Sequence, residues 1–270
     1  ANWLSDTQSG AGHLLARVMV NRLWHYHFGR GIVSTPSDFG TRGERPTHPE
    51  LLDWLATELI RNEWRLKPIH RLIMSSTVYM QGDAVTESGR KIDPENRLIW
   101  RREARRLEAE SIRDSLLAVS GKLDLEMYGK GTLDQNSSRR SIYFTMKRGQ
   151  LIPLLQLFDA PDAMQSVGSR EESTVAPQAL ALINSPVVRG LATQFAQRVR
   201  PNAEVSIEDA IRNAYMTALA RPPADDEVSA MNAFITSQIA ARAGNGAAEQ
   251  LAVRDFCHLL LCANEFVYVD

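Results

Sequence analysis

Cysteine is scarce. The 270 residues hold two, Cys257 and Cys262. No CxxC pair occurs, so the common zinc spacing is absent, and no CxxCH occurs, so this stretch lacks a c-type haem attachment motif. The two thiols lie five positions apart on a predicted helix, point in different directions and do not favour a disulfide. They read as small buried apolar side chains. No run of 18 apolar residues appears, so no membrane span is expected. Residues 1–6 show neither a charged n-region nor an apolar h-region and read as mid-domain sequence. The patterns GxxxxGK(S/T), GxGxxG, HExxH, GxSxG and the EF-hand loop are missing, which disfavours nucleotide binding and the common zinc protease chemistry. Charge of one sign is also lacking. The formal net charge is −1, which argues against a global pull toward nucleic acid or anionic membrane.

Hydrophobic residues make up 44% and charged residues 23%, the balance of a folded globular chain long enough for one large core or two smaller ones. Helical spacing dominates. Residues 12–28 place Leu15, Val18, Met19, Arg22 and Leu23 at helical intervals, with Gly29 as the stop. Residues 29–47 carry Gly29, Gly31, Pro36, Gly40, Gly43 and Pro46 and read as a long irregular loop. Pro49 opens an amphipathic helix, a second follows near 67–80, and 81–96 reads as a surface loop. The clearest helix signal spans 103–120, capped by Gly121. Further helices are expected at 151–158, 176–184, 186–200, 207–220, 226–242 and 250–266, the last but one with Asp225 as its N-cap. Residues 139–148 alternate Ile142, Phe144 and Met146 with Tyr143, Thr145 and Lys147, a strand signal. The expected fold is mainly α, a helical bundle-like domain across 1–270 with one short β-hairpin and sub-halves 1–135 and 136–270. A degenerate repeat of a helical hairpin is also expected, relating 14–80 to 207–269.

Four constellations carry polar chemistry. The first, within 21–53, gathers Asn21, Arg22, His25, His27, Arg30, Asp38, Arg42, Glu44, His48, Glu50 and Asp53. His25 and His27 fall about 200° apart on a helix and do not face one ion, so capping and loop anchoring compete with a ligand site. The second is the run Arg97, Arg101, Arg102, Arg105 and Arg106, which attracts phosphate or sulfate. Read as helix, Arg106–Glu110 and Arg105–Glu108 become intrahelical pairs and the run a salt-bridged face. The third, Arg139, Arg140, Tyr143, Lys147 and Arg148, forms a candidate surface for an anionic ligand. The fourth joins Asp159, Asp162, Arg170, Glu171, Glu172, Ser173, Thr174, Gln178 and Asn184, with Asp159–Arg170 as an expected staple. One candidate ligand pocket combines Asn21, Arg22, Asp38 and His48 with Asp159, Arg170 and Gln178. No metal set is expected.

The strings NRLWHYHFGRGIV (21–33), PSDFG (36–40), HPELLDWLA (48–56), RRLEAESIRDSLLAVSG (105–121), RRSIYF (139–144), STVAPQALALINSP (173–186) and NEFVYVD (264–270) occur in one order. In these strings the chain resembles the planctomycete-specific PSD1-type domain, a domain of unknown function (1553). The resemblance implies a C-terminal place in a large exported protein, hence a periplasmic or secreted location. It also implies a neighbouring cytochrome c-type domain that holds haem c, so no cofactor is expected in this fragment. A non-catalytic interaction or ligand-binding domain is the function expected, with a polysaccharide or cell-surface partner and no nucleic acid. Two alternatives stand beside it. One is an extracytoplasmic enzyme acting on glycans through Asp38, His48, Asp159 and Arg170. The other is a docking or axial-ligand domain for the neighbouring haem, with His25, His27 and His258 as candidates.

Overall fold

The computed structural model describes residues 2–161, 164, 167–170 and 172–269. Asp162 and Glu171 of the fourth constellation lie outside the described residues. The chain forms two compact units, dividing at Arg105/Arg106 and so ahead of the 135/136 boundary expected from sequence. Among the described residues no helix is long and apolar enough to cross a membrane.

The first unit comprises residues 1–105 with 167–169. It contains α1 (Asn2–Ser5), α2 (Gly12–Phe28), α3 (Pro49–Arg61), α4 (Leu66–Met74), α5 (Thr77–Met80) and α6 (Glu87–Ile92). Helix α2 buries Ala16, Val20, Leu23 and Trp24, and α3 buries Leu52, Leu55, Ala56 and Leu59. Both sets repeat at three and four residues, so each helix turns one apolar stripe inward. With Ile32, Val33, Ile69 and Ile73 they make one closed core. Gly29 ends α2 in the left-handed region at φ 80°, donating its N–H to His25 O at 2.7 Å. The helix expected at 67–80 is broken. Ser76 leaves the helical region at ψ 148° and its hydroxyl accepts the Tyr79 N–H, which starts α5 afresh. The expected surface loop 81–96 contains α6, started in the same way by Thr86.

The second unit comprises residues 106–166 and 170–269. At its start lies β1 (Arg105–Arg106), paired with β2 (Tyr268–Val269) near the end of the chain. The helices are α7 (Ala109–Val119), α8 (Pro153–Leu157), α9 (Ala176–Asn184), α10 (Pro186–Val199), α11 (Ile207–Ala218), α12 (Asp225–Ala240), α13 (Ala248–Leu261) and α14 (Asn264–Val267). Phe195, Ile211, Ile235, Phe256 and Leu261 are wholly buried and centre its core. Cys257 is buried there as a free thiol and Cys262 is half-buried; burial pushes both thiols up, Cys262 to about 11. At the start of α12 the N-cap is Ala224, one residue before the Asp225 expected, and the Glu227 carboxylate accepts the Ala224 N–H at 2.8 Å.

Mainly α with one two-stranded sheet is therefore the architecture, but the sheet does not fall where alternation placed it. Residues 139–148 hold a 3-10 turn at Ser141–Tyr143 and isolated bridges, not a hairpin. The reason lies in α7. Buried Arg113 takes the carbonyls of Ser137 and Arg139, and Asp114 takes both the N–H and the O–H of Ser141. Side chains thus consume the backbone groups that a ladder needs. Ile142 and Met146 stay exposed while Phe144 is buried, so the alternating residues share no face.

The second helix correction concerns 103–120, which becomes helical only at Ala109. Arg105 and Arg106 are extended, so the expected intrahelical pairs with Glu108 and Glu110 do not form. Element order does recur between the units. In α2–α5 and in α11–α14 the last one-turn helix is entered through a residue at ψ near 0° followed by one at ψ 148°, namely Ser75-Ser76 and Cys262-Ala263. Asn21 and Asn213 break the parallel, since the first is buried and the second exposed.

Candidate functional site

The sharpest concentration of unspent charge lies in the first unit. A small cavity of about 80 Å³ is lined by His27, Arg30, Arg97, Arg101, Arg102 and Arg105, with Glu95 and Glu103 as the acidic members. Local structure explains why so many cations meet there. Asn21 on α2 is fully buried; its amide accepts the Val33 N–H at 2.8 Å and donates to Val33 O at 3.0 Å. That clamp folds 29–33 back against the helix. A side chain on Gly31 has no room, because its Cβ would fall 2.8 Å from the Asn21 amide. Arg30 is thereby held at the cavity.

The opposite wall is the segment after α6. Asn96 sits at φ 50°, and its carboxamide oxygen accepts the N–H groups of Trp100 and Arg101 while its amide donates to Arg101 O. Asp93 accepts the Leu98 N–H at 2.7 Å and its carbonyl accepts Trp100 Nε1–H at 2.8 Å. The loop is wound around its own polar side chains, which turns Arg97 and Arg101 toward one place. Arg101 is paired with Glu103 at 2.8 Å. Arg102 lies 4.4 Å over the Tyr79 ring and donates to Tyr79 O at 3.1 Å. Arg105 donates to Tyr26 O at 2.9 Å, while its Nε is buried without an acceptor among the described residues.

His27 adds a titratable wall. Its Nε2 lies 2.8 Å from His70 Nδ1 on α4, and its ring meets Tyr79 edge-on. Burial, then the neighbouring His70, Arg102 and Arg105, hold the His27 imidazole below its ordinary pKa. Arg30, Arg97, Arg102 and Arg105 have no carboxylate partner among the described residues. Arg102 and Arg105 are anchored donors in the cavity, and Arg30 and Arg97 reach it as exposed side chains, so the cavity suits negative charge.

The seven residues of the sequence-derived pocket have mostly separate local tasks. Asn21 is the clamp just described, and Arg22 is exposed over the Tyr26 ring. Asp38 accepts the Gly40 N–H at 2.9 Å, and His48 Nδ1 meets the Thr47 hydroxyl at 2.9 Å. In the second unit Asp159 and Gln178 do share a network. The Ser173 hydroxyl and N–H donate to Asp159, Gln178 donates to Leu157 O and to Ser173 Oγ, and Arg106 donates to Asp159 at 2.7 Å. The Asp159–Arg170 staple is replaced, because Arg170 grips Glu110 at 2.7 and 3.0 Å. Asp159 sits at φ 61° and its carboxyl is lowered by hydrogen bonds from Ser173 and Arg106, which outweigh its desolvation; a general acid needs the opposite.

The candidate anionic-ligand surface is also largely committed. Arg139 stacks 3.8 Å over Tyr143 and donates to the carbonyls of Glu126, Tyr128 and Lys130. The Tyr143 hydroxyl accepts the Tyr128 N–H, and Arg140 faces Asp114 at 3.7 Å. Lys147 and Arg148 remain exposed. His258 Nε2 meets Leu182 O at 3.2 Å, a satisfied helix histidine. Among the described residues no group of three His, Cys, Asp or Glu side chains is placed to hold a metal ion.

The family model of PSD1, a protein of unknown function (DUF1553), matches residues 1–235. The chain belongs to the PSD1 family. The matched stretch of this PSD1 chain takes in α1–α11 and ends inside α12, short of the NEFVYVD string. No curated protein and no solved structure matches it. Sequence reading singled out the arginine run of the PSD1 cavity but assigned it to a helical face. It placed His27 and Arg30 in a separate constellation and missed His70, and no short-range pattern joins the three to the run.

Proposed function

We propose that this PSD1 chain is a non-catalytic ligand-binding domain of a larger exported protein, and that its binding element is the cationic cavity of the first unit. One observation carries this reading. Arg30, Arg97, Arg102 and Arg105 converge on one cavity and none is neutralised by a carboxylate among the described residues. Holding like charges together costs stability through mutual repulsion, so a built cluster is best accounted for by a negatively charged partner. The residues offered for catalysis support the same reading, because Asp38, His48, Asp159 and Arg170 are each occupied by local hydrogen bonds or ion pairs.

The partner in this proposal is an anionic group displayed by a polysaccharide or cell-surface component outside the cytoplasm. The resemblance to exported PSD1-type proteins supports that location. It also supports a neighbouring cytochrome c-type domain as the holder of haem c. The test is calorimetric titration of the chain with inorganic sulfate at low ionic strength. Saturable binding is expected, and Arg102→Ala with Arg105→Ala should abolish it. Equal binding by the double variant, or none by the parent chain, rules the proposal out.

A further inference from the structure

We infer that the cavity takes the terminal oxyanion of a sulfate or phosphate monoester, with the body of the ester remaining outside. This rests on the anion-binding reading above and narrows it to a ligand class. Room comes first. The cavity leaves about 80 Å³ to the centres of water-sized groups, several times the roughly 10–15 Å³ that one water needs, so a tetrahedral oxyanion fits at its arginine-lined wall.

Direction is the second argument. A carboxylate is planar and is satisfied by one guanidinium fork. Here the donors arrive from two walls. Arg30 comes from the turn after α2, and Arg97, Arg102 and Arg105 come from the segment after α6. Several guanidiniums from two separate segments suit an acceptor whose oxygens point in three dimensions. Arg102 and Arg105 are each anchored by one Nη1 contact to a carbonyl, so their positions are set before any ligand arrives.

One donor in the cavity is orphaned. Arg105 Nε is buried with no acceptor among the described residues, a defect that normally costs free energy unless something satisfies it. Gly29 makes this arrangement possible, since a Cβ there would sit 3.0 Å from Arg105 Cδ and Nε. Glu95 and Glu103 complete the description of the ligand. They repel a second anionic group and accept hydroxyl donors, so the body beyond the oxyanion is neutral and hydroxylated.

His27 supplies the readout. Arg102 and Arg105 help hold its imidazole uncharged, alongside His70 from α4, while Tyr79 from α5 packs on its ring. An oxyanion on those guanidiniums relieves the repulsion, so the His27 titration should move to higher pH when the site is filled. The experiment follows the His27 ring by NMR from pH 5 to 8, with inorganic sulfate, inorganic phosphate or acetate at matched ionic strength. 4-Nitrophenyl sulfate and 4-nitrophenyl phosphate then separate the two ester sources.

Sulfate and phosphate should saturate and raise the His27 midpoint, with acetate at least tenfold weaker. Arg105→Lys, which keeps the charge but loses Nε, should weaken sulfate at least tenfold. Arg97 is exposed, so Arg97→Ala keeps the test open if the Arg105 variant does not fold; a few-fold loss is expected. Acetate binding as tightly as sulfate overturns the ester assignment while the anion-binding reading stands. Sulfate binding that leaves His27 and the Arg97 variant unaffected overturns it by placing the anion elsewhere. No binding of any anion removes both.

Discussion

His27 Nε2 and His70 Nδ1 lie 2.8 Å apart, from α2 and α4 of the first unit. At that distance one ring nitrogen donates and the other accepts, so at least one of the two imidazoles is neutral. Buried and beside Arg102 and Arg105, His27 resists protonation. The contact is therefore both a packing element and a proton-sensitive one.

Its consequence for stability has a definite sign. The unfolded chain protonates His27 near pH 6.5, whereas the folded chain holds it neutral to lower pH. Between those two points the unfolded state binds more protons, so stability falls as pH falls through the window. Urea denaturation midpoints at pH 8, 7, 6 and 5 should decline below about pH 6.5, and His27→Phe should decline less. Parallel curves for parent and variant would show that His27 is not responsible.

Arg221 gives behaviour of the same sign in a more acidic window. It pairs with Glu227 at 2.8 Å and also with Glu265. Hydrogen bonds from Arg221, then from the Ala224 N–H, pull the Glu227 carboxyl down to about 2. This stability is fully present above the unfolded value, about 4.3, and is lost as pH falls toward about 2. Glu227→Gln should cost about 1 kcal/mol at pH 7, since the pair is partly solvated and also caps α12. It should also flatten the acid limb in that window; an unaltered acid limb counts against the assignment.

Arg113 is 6% exposed and holds the carbonyls of Ser137 and Arg139 together with the Ser141 hydroxyl. Truncation leaves those carbonyls without their donor and removes the cation 3.5 Å from Asp114. Arg113→Ala should destabilise the chain by about 3 kcal/mol, read as a lower denaturation midpoint. It should also open 137–141 to limited proteolysis. A loss under about 1 kcal/mol would mean that water replaces the guanidinium without penalty.

Asn21 is the hinge pin of the cavity wall, because both of its amide atoms are spent on Val33. Asn21→Ala should cost about 2 kcal/mol, the size of two buried backbone bonds lost with a small void. Sulfate affinity should fall with it, since Arg30 is no longer held. Unchanged affinity in a destabilised variant would detach the clamp from binding.

The legible parts of the fold were those with long-range periodicity. Helix α3 announces itself through Leu52, Leu55, Ala56 and Leu59 behind Pro49, and α9 and α10 through Pro177 and Pro186 near their starts. The failures were cases where side chains from distant residues decided the backbone. Alternation at 142–146 reads as strand until Arg113 and Asp114 claim its partners. Arg105 and Arg106 read as helix until they are drawn into the pairing of β1 with β2. The arginines of the cavity were visible as a run, but their meeting with His27 and Arg30 depends on the turn around Asn96 and the clamp at Asn21. Neither leaves a short-range signature.

The thiol pair of α13 and its cap offers an internal clock. Cys257 is wholly enclosed by the second unit's core, whereas Cys262, five positions on, is half-exposed to view. A thiol-reactive dye should label Cys262 through small local fraying and reach Cys257 only when that core opens as a whole. The ratio of the two labelling rates thus reads the separation between breathing and unfolding in the untouched chain, without any introduced reporter.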